Sequence, residues 1–171
     1  MTRTNILGLS TIIALGLLAL LPGSAVSQQK TIKDQLVGTW TLVSWELTRA
    51  DGSRFQRFGA NPKGVNTFDA NGNFSLIIMR PDLPKISGDP MKVTAEEGLA
   101  IARGAIAYFG TYTVNEGDKT LSLKIDATTL VNQLGMEQKR SISSIGPDEM
   151  KYSYVTNAAG SKIELVWKRA Q

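Results

Sequence analysis

Gly38-Thr39-Trp40-Thr41-Leu42-Val43-Ser44-Trp45-Glu46-Leu47-Thr48 is the stretch on which the fold turns. From Thr39 it alternates as a β-strand does, with Trp40 and Leu42 on one face. It then slips phase, so that Val43, Trp45 and Leu47 take the other. A slip inside a strand predicts a bulge or bend, a device by which barrels close.

Upstream of this strand, Gln28 to Gln35 is polar and reads as an arm or short lead-in helix. Before it, residues 1–27 have the pattern of a secretory signal peptide. Arg3 is a thin positive start, Ile6 to Leu21 is uncharged and apolar, and Pro22-Gly23 breaks the run. Ser24-Ala25-Val26-Ser27 then offers small residues for cleavage before Gln28. The apolar run falls short of the roughly 20 residues a spanning helix needs. The expectation is therefore an exported protein, periplasmic or secreted, with no stable membrane anchor after cleavage. The chain has no cysteine for a lipid-modified terminus.

Downstream, Val65 to Phe68 and Phe74 to Met79 flank Asp69-Ala70-Asn71-Gly72-Asn73, a hairpin whose Asn-Gly supplies positive φ. The same turn mimics a calcium loop at its first acidic positions, but Phe74 and Arg80 stand where such a loop needs Gly and Glu. Arg80 to Lys92, with three prolines, is a long loop. Thr94 and Glu97 form a capping box for one helix, in which Leu99, Ala102 and Ile106 recur at helical spacing, and Gly104 is a stop signal. The rest repeats as strands: Ala107 to Val114, Thr120 to Ala127, Gln138 to Ile145, Met150 to Val155 and Lys162 to Lys168. Leu121, Leu123 and Ile125 alternate with polar neighbours, as do Ile163, Leu165 and Trp167, so one face is dry and one wet. Eight evenly spaced strands predict an all-β, eight-stranded antiparallel up-and-down barrel, with one helix inserted before the fourth strand.

The chain has neither cysteine nor histidine among its 171 residues. That excludes disulfides, thiol nucleophiles, histidine-ligated haem and a Ser-His-Asp relay. No metal site and no cofactor is expected. A net charge of +4 without a basic stripe does not suit nucleic acid. An apolar fraction of 42% is adequate for one core.

Gly38-Thr39-Trp40, the hairpin string Phe68 to Ser75, Ile78 to Lys85, Ala107 to Tyr112 and Glu164 to Arg169 resemble the bacterial lipocalin-like domain family. The likeness covers residues 36–169 and implies a calycin-type barrel that holds a small apolar ligand. It also implies that Gly38 and Trp40 close one barrel end, with Lys168 or Arg169 packed across the tryptophan ring, a structural contact rather than a ligand site.

Candidate ligand residues follow from strand faces. Tyr112, Tyr152 and Tyr154 share faces with apolar residues, and Arg140 lies on the face of Ile142. Tyrosines around an inward arginine suit a carboxylate-headed apolar molecule. Arg80, with Pro81, Asp82 and Lys85, lies in the long loop, where a barrel mouth is gated. For catalysis the candidates are Glu96, Glu97, Asp82, Asp118, Asp126 and the tyrosines. Glu96 and Glu97 have a capping explanation, Asp118 and Asp126 turn and wet-face ones, and no carboxylate pair stands on an inward face, so catalytic residues stay unknown. The reading is a monomeric carrier of a small apolar molecule. A barrel enzyme (isomerase, cyclase or hydrolase) and a ligand-free envelope protein are the alternatives.

Overall fold

The computed structural model describes residues 30–86, 88–156 and 160–171. The expected signal peptide lies outside them. A short helix α1 (Ile32–Leu36) precedes strand β1 (Gly38–Thr48), followed by β2 (Arg54–Phe55), β3 (Lys63–Phe68) and β4 (Asn73–Met79). Helix α2 (Ala95–Gly104) leads into β5 (Ala105–Asn115), β6 (Thr120–Thr128), β7 (Glu137–Ile145), β8 (Glu149–Val155) and β9 (Lys162–Arg169). Strands pair in sequence from β3 to β9, and β1 pairs with both β3 and β9. The result is a closed eight-stranded antiparallel meander. β2 is a two-residue addition against the end of β1 that the sequence does not announce, and α2 stands before the fourth barrel strand, β5.

The phase slip in β1 is a bulge. Its register against β9 shifts between Leu42 and Ser44. The consequence differs from the alternation read above. Trp45 does not change faces but returns to the interior beside Trp40 and Leu42, while Val43 is 41% exposed. One extra residue absorbs the slip, so Trp45 and the half-buried Leu47 join Trp40 and Leu42 on the inward face. Alternation is strict in β4, which buries Phe74, Leu76 and Ile78, and across Leu121, Leu123 and Ile125 of β6, while β7 slips again between Ile142 and Ser144. Each such side chain contributes roughly 1.5–3 kcal/mol on burial. In α2 the capping box is present and Gly104 is the last residue, but Leu99 is 49% exposed and Ile106 belongs to β5. The helical spacing there crosses an element boundary, and α2 is a surface strap rather than a core helix.

Antiparallel order places the tight turns β3–β4, β5–β6 and β7–β8 at one end of the barrel. The longer connections β1–β3, β4–β5, β6–β7 and β8–β9 gather at the other. The tight-turn end is plugged by α1. The Trp40 indole Nε1 donates to Leu36 O at 2.8 Å, and the Glu116 carboxylate accepts from the Ile32 and Lys33 amides at the helix start.

Candidate functional site

At the plugged end, Arg169 lies over the Trp40 ring, its guanidinium carbon 4.1 Å from the ring centroid. Its Nη1 donates to Val37 O at 3.0 Å, its Nη2 to Gln35 O at 2.6 Å, and its Nε to Pro147 O. Gly38 adopts φ 129°, and a Cβ there would stand 2.7 Å from Arg169 Nη1. Glycine is required on both counts, conformation and room. Of the two basic residues expected on Trp40, Arg169 makes the contact; Lys168 pairs across from Thr41 and is exposed.

Toward the long-loop end the interior is hollow. A cavity of about 160 Å³ has a mixed lining, in which apolar side chains of β1, β4, β5 and β9 stand with Arg57, Gln133, Arg140, Thr156 and three tyrosines, Tyr108, Tyr152 and Tyr154. The β1–β3 connection covers it. Phe58 is buried and meets Trp45 edge-to-face, with centroids 5.4 Å apart. Arg57 beside it donates to Arg103 O at 2.9 Å and Ala102 O at 3.2 Å, latching this loop to the C-terminal carbonyls of α2.

Arg140 is the chemical centre. It is 2% exposed, and among the described residues no Asp or Glu is buried with it. Its guanidinium stacks on Tyr154 at 3.6 Å, and Nη2 donates to Gln138 Oε1 and, at 3.5 Å, to the Tyr108 hydroxyl. Its Nε has no hydrogen-bond partner. Desolvation works against its charge, but the oxygens of Tyr108, Tyr154 and Tyr152 outweigh it and hold the pKa above the ordinary arginine value. Arginine is a cation here in any case. Burial pushes the Tyr152 and Tyr154 phenols upward, so both are neutral hydrogen-bonding groups. The Tyr152 hydroxyl also accepts from Asn66 Nδ2 at 3.4 Å.

The cavity reaches the surface through the barrel wall. β7 and β8 pair only from Ser141 and Ser153 to Ile145 and Met150. Beyond Ser141, β7 stays with β6 through Glu137, while β8 stays with β9 through Val155, so the two strands part. Gln133, Arg140, Tyr154 and Thr156 border both the inner cavity and the groove outside this gap.

A model of the lipocalin-like domain matches residues 37–170. The chain belongs to that family. No curated protein matches it. Among solved structures, it is similar to a de novo designed fluorescence-activating β-barrel at 11% identity. That match covers 82% of this chain and 99% of the other, with a TM-score of 0.42, a likeness too loose to carry an argument.

Of the candidate residues, the lipocalin-like barrel brings Arg140, Tyr152 and Tyr154 together at the cavity. Tyr112 lies elsewhere in the core: it packs edge-to-face on Phe68 at 5.1 Å, and its hydroxyl donates to Asp69 O at 2.7 Å. Arg80 is exposed and donates from Nε and Nη2 to the two carboxylate oxygens of Asp82. Neither lines the cavity. The residues missed are Tyr108, Trp45, Arg57, Phe58, Gln133 and Thr156. Tyr108 was within reach of the sequence, since it alternates with Ile106 and Tyr112 along β5. Arg57, Phe58, Gln133 and Thr156 lie outside the barrel strands, where no periodicity signals direction.

Proposed function

We propose that this lipocalin-like protein is an exported, periplasmic or secreted carrier that acts as a monomer. Its barrel binds a small molecule with an apolar body and an anionic head. The observation that carries the reading is Arg140: a buried cation beside a cavity, with no acidic partner among the described residues and an unpartnered Nε. Burying a charge costs several kcal/mol unless it is paired, and a guanidinium pairs best with a planar oxyanion such as a carboxylate. Gln138 and the tyrosines hold Arg140 as a cation without neutralising it, and an incoming anion completes the pairing. A reaction in this cavity would rely on tyrosine and arginine, because its lining holds no carboxylate.

Native mass spectrometry of protein taken from its exported compartment, followed by solvent extraction, tests the reading. The expected result is a mature chain beginning at Gln28 with a one-to-one acidic adduct, and loss of that adduct in Arg140→Leu. An adduct retained undiminished by the variant would refute the head-group assignment. A chain recovered only inside the cell with residues 1–27 attached would refute export.

A further inference from the structure

We propose that the ligand is a small monocyclic aromatic acid, its ring inside the barrel and its carboxylate at the gap between β7 and β8. This rests on the anion-binding reading above and narrows it to a chemical class.

Size comes first. The cavity is about 160 Å³. An apolar cavity of about 150 Å³ is known to accept benzene, whereas pockets for larger ligands run to roughly 300–1,000 Å³. One ring fits inside; a long alkyl chain does not. The walls agree with that choice. Trp45 and Phe58 already meet edge-to-face, and Tyr108 and Tyr152 add two more rings to the same cavity. Aromatic walls favour an aromatic guest through offset and edge-to-face contacts.

Polarity fixes the orientation. Three buried side-chain atoms without a hydrogen-bond partner, Arg140 Nε, Gln133 Oε1 and Thr156 Oγ1, belong to residues that border both the cavity and the outer groove. Three of the five such atoms among the described residues are therefore collected at one corner, with Asn66 Oδ1 and Trp167 Nε1 elsewhere in the core, while Leu76 and Ile78 of β4 line another wall. Such orphaned groups are uncommon in a folded interior and call for a polar partner. A carboxylate accepts from the Arg140 Nε–H and the Thr156 hydroxyl together. With its amide turned end for end, Gln133 donates from Nε2 to the same head. The head thus sits at the threshold of the wall gap, and any substituent beyond it emerges through the gap rather than deeper into the barrel.

Isothermal titration calorimetry of the full mature chain with phenylacetate, benzoate, benzyl alcohol and decanoate is the test. Phenylacetate or benzoate should bind one-to-one, with benzyl alcohol and decanoate each at least tenfold weaker. Arg140→Leu should lose at least tenfold in affinity for the aromatic acid with its circular dichroism unchanged. Ile106→Phe, which fills the cavity and keeps Arg140, should lose the ring as well. Decanoate binding tighter than both aromatic acids, still dependent on Arg140, would overturn the ring while leaving the anion reading standing. Benzyl alcohol binding as tightly as phenylacetate would overturn the anion reading. No binding of any of the four at millimolar concentration would overturn both.

Discussion

Four arginines of this barrel lie over an aromatic ring, and the two that lie closest, Arg169 and Arg140, do opposite things. Arg169 covers Trp40 at 4.1 Å and donates to three backbone carbonyls, joining α1, the β1 approach and the β7–β8 turn. Arg140 covers Tyr154 at 3.6 Å, is more deeply buried, and leaves its Nε unmet beside a cavity. Ring stacking is common to both, so the stacking cannot be what separates a structural arginine from a binding one. The separation lies in whether the guanidinium's donors are already spoken for. A satisfied fork is a fastener; an unsatisfied one facing space is a receptor.

The comparison breaks most visibly at the plugged end. Arg169→Leu should destabilise the fold by about 3 kcal/mol, since it orphans three carbonyls and removes the cation from Trp40. Denaturant unfolding should show a lower midpoint with the slope unchanged. Gly38→Ala should cost about 2 kcal/mol, because a side chain at φ 129° is strained and collides with Arg169; thermal unfolding of Gly38→Ala with and without Arg169→Leu should give less than the additive loss. At the hollow end Arg140→Leu should lower stability by no more than about 1 kcal/mol, since the charge has only neutral partners and an apolar side chain fills its place. A loss as large as that of Arg169→Leu would erase the distinction between the two sites.

Alkali provides a gentler probe of the same end. Burial holds the Tyr152 phenol far above its usual pKa, so the folded state keeps a proton that the unfolded state gives up at about pH 10. Its stability contribution is full below that pH and is lost as the pH rises past it. Tyr152→Phe should start about 1 kcal/mol less stable, for want of the Asn66 bond, and decline less steeply in alkaline unfolding.

The two ends also differ in how far the sequence revealed them. The plugged end was legible because Gly38, Trp40 and the terminal basic pair are strand residues at fixed spacing, and the resemblance named their roles. The bulge was legible too, but not its effect: only three-dimensional register tells that Trp45 comes back inside. At the hollow end, the strand face of Arg140, Tyr152 and Tyr154 carried the right direction. The same rule put Tyr112 among them, because a shared face says inward without saying at which height along the barrel. Arg80 stands away from the cavity for another reason. A loop arginine two residues from Asp82 has a nearby anion already, and that local pair holds it outside. The lid residues Arg57 and Phe58 gave no sign, since loops have no period to read.

Nitrogen-15 NMR of the arginine side chains during a phenylacetate titration addresses the central claim most directly. The account predicts that the Arg140 Nε–H signal shifts downfield and saturates at one equivalent, while the Arg169 Nε–H signal stays where it was. An Arg140 signal that does not move, or one that moves in step with Arg169, would contradict it.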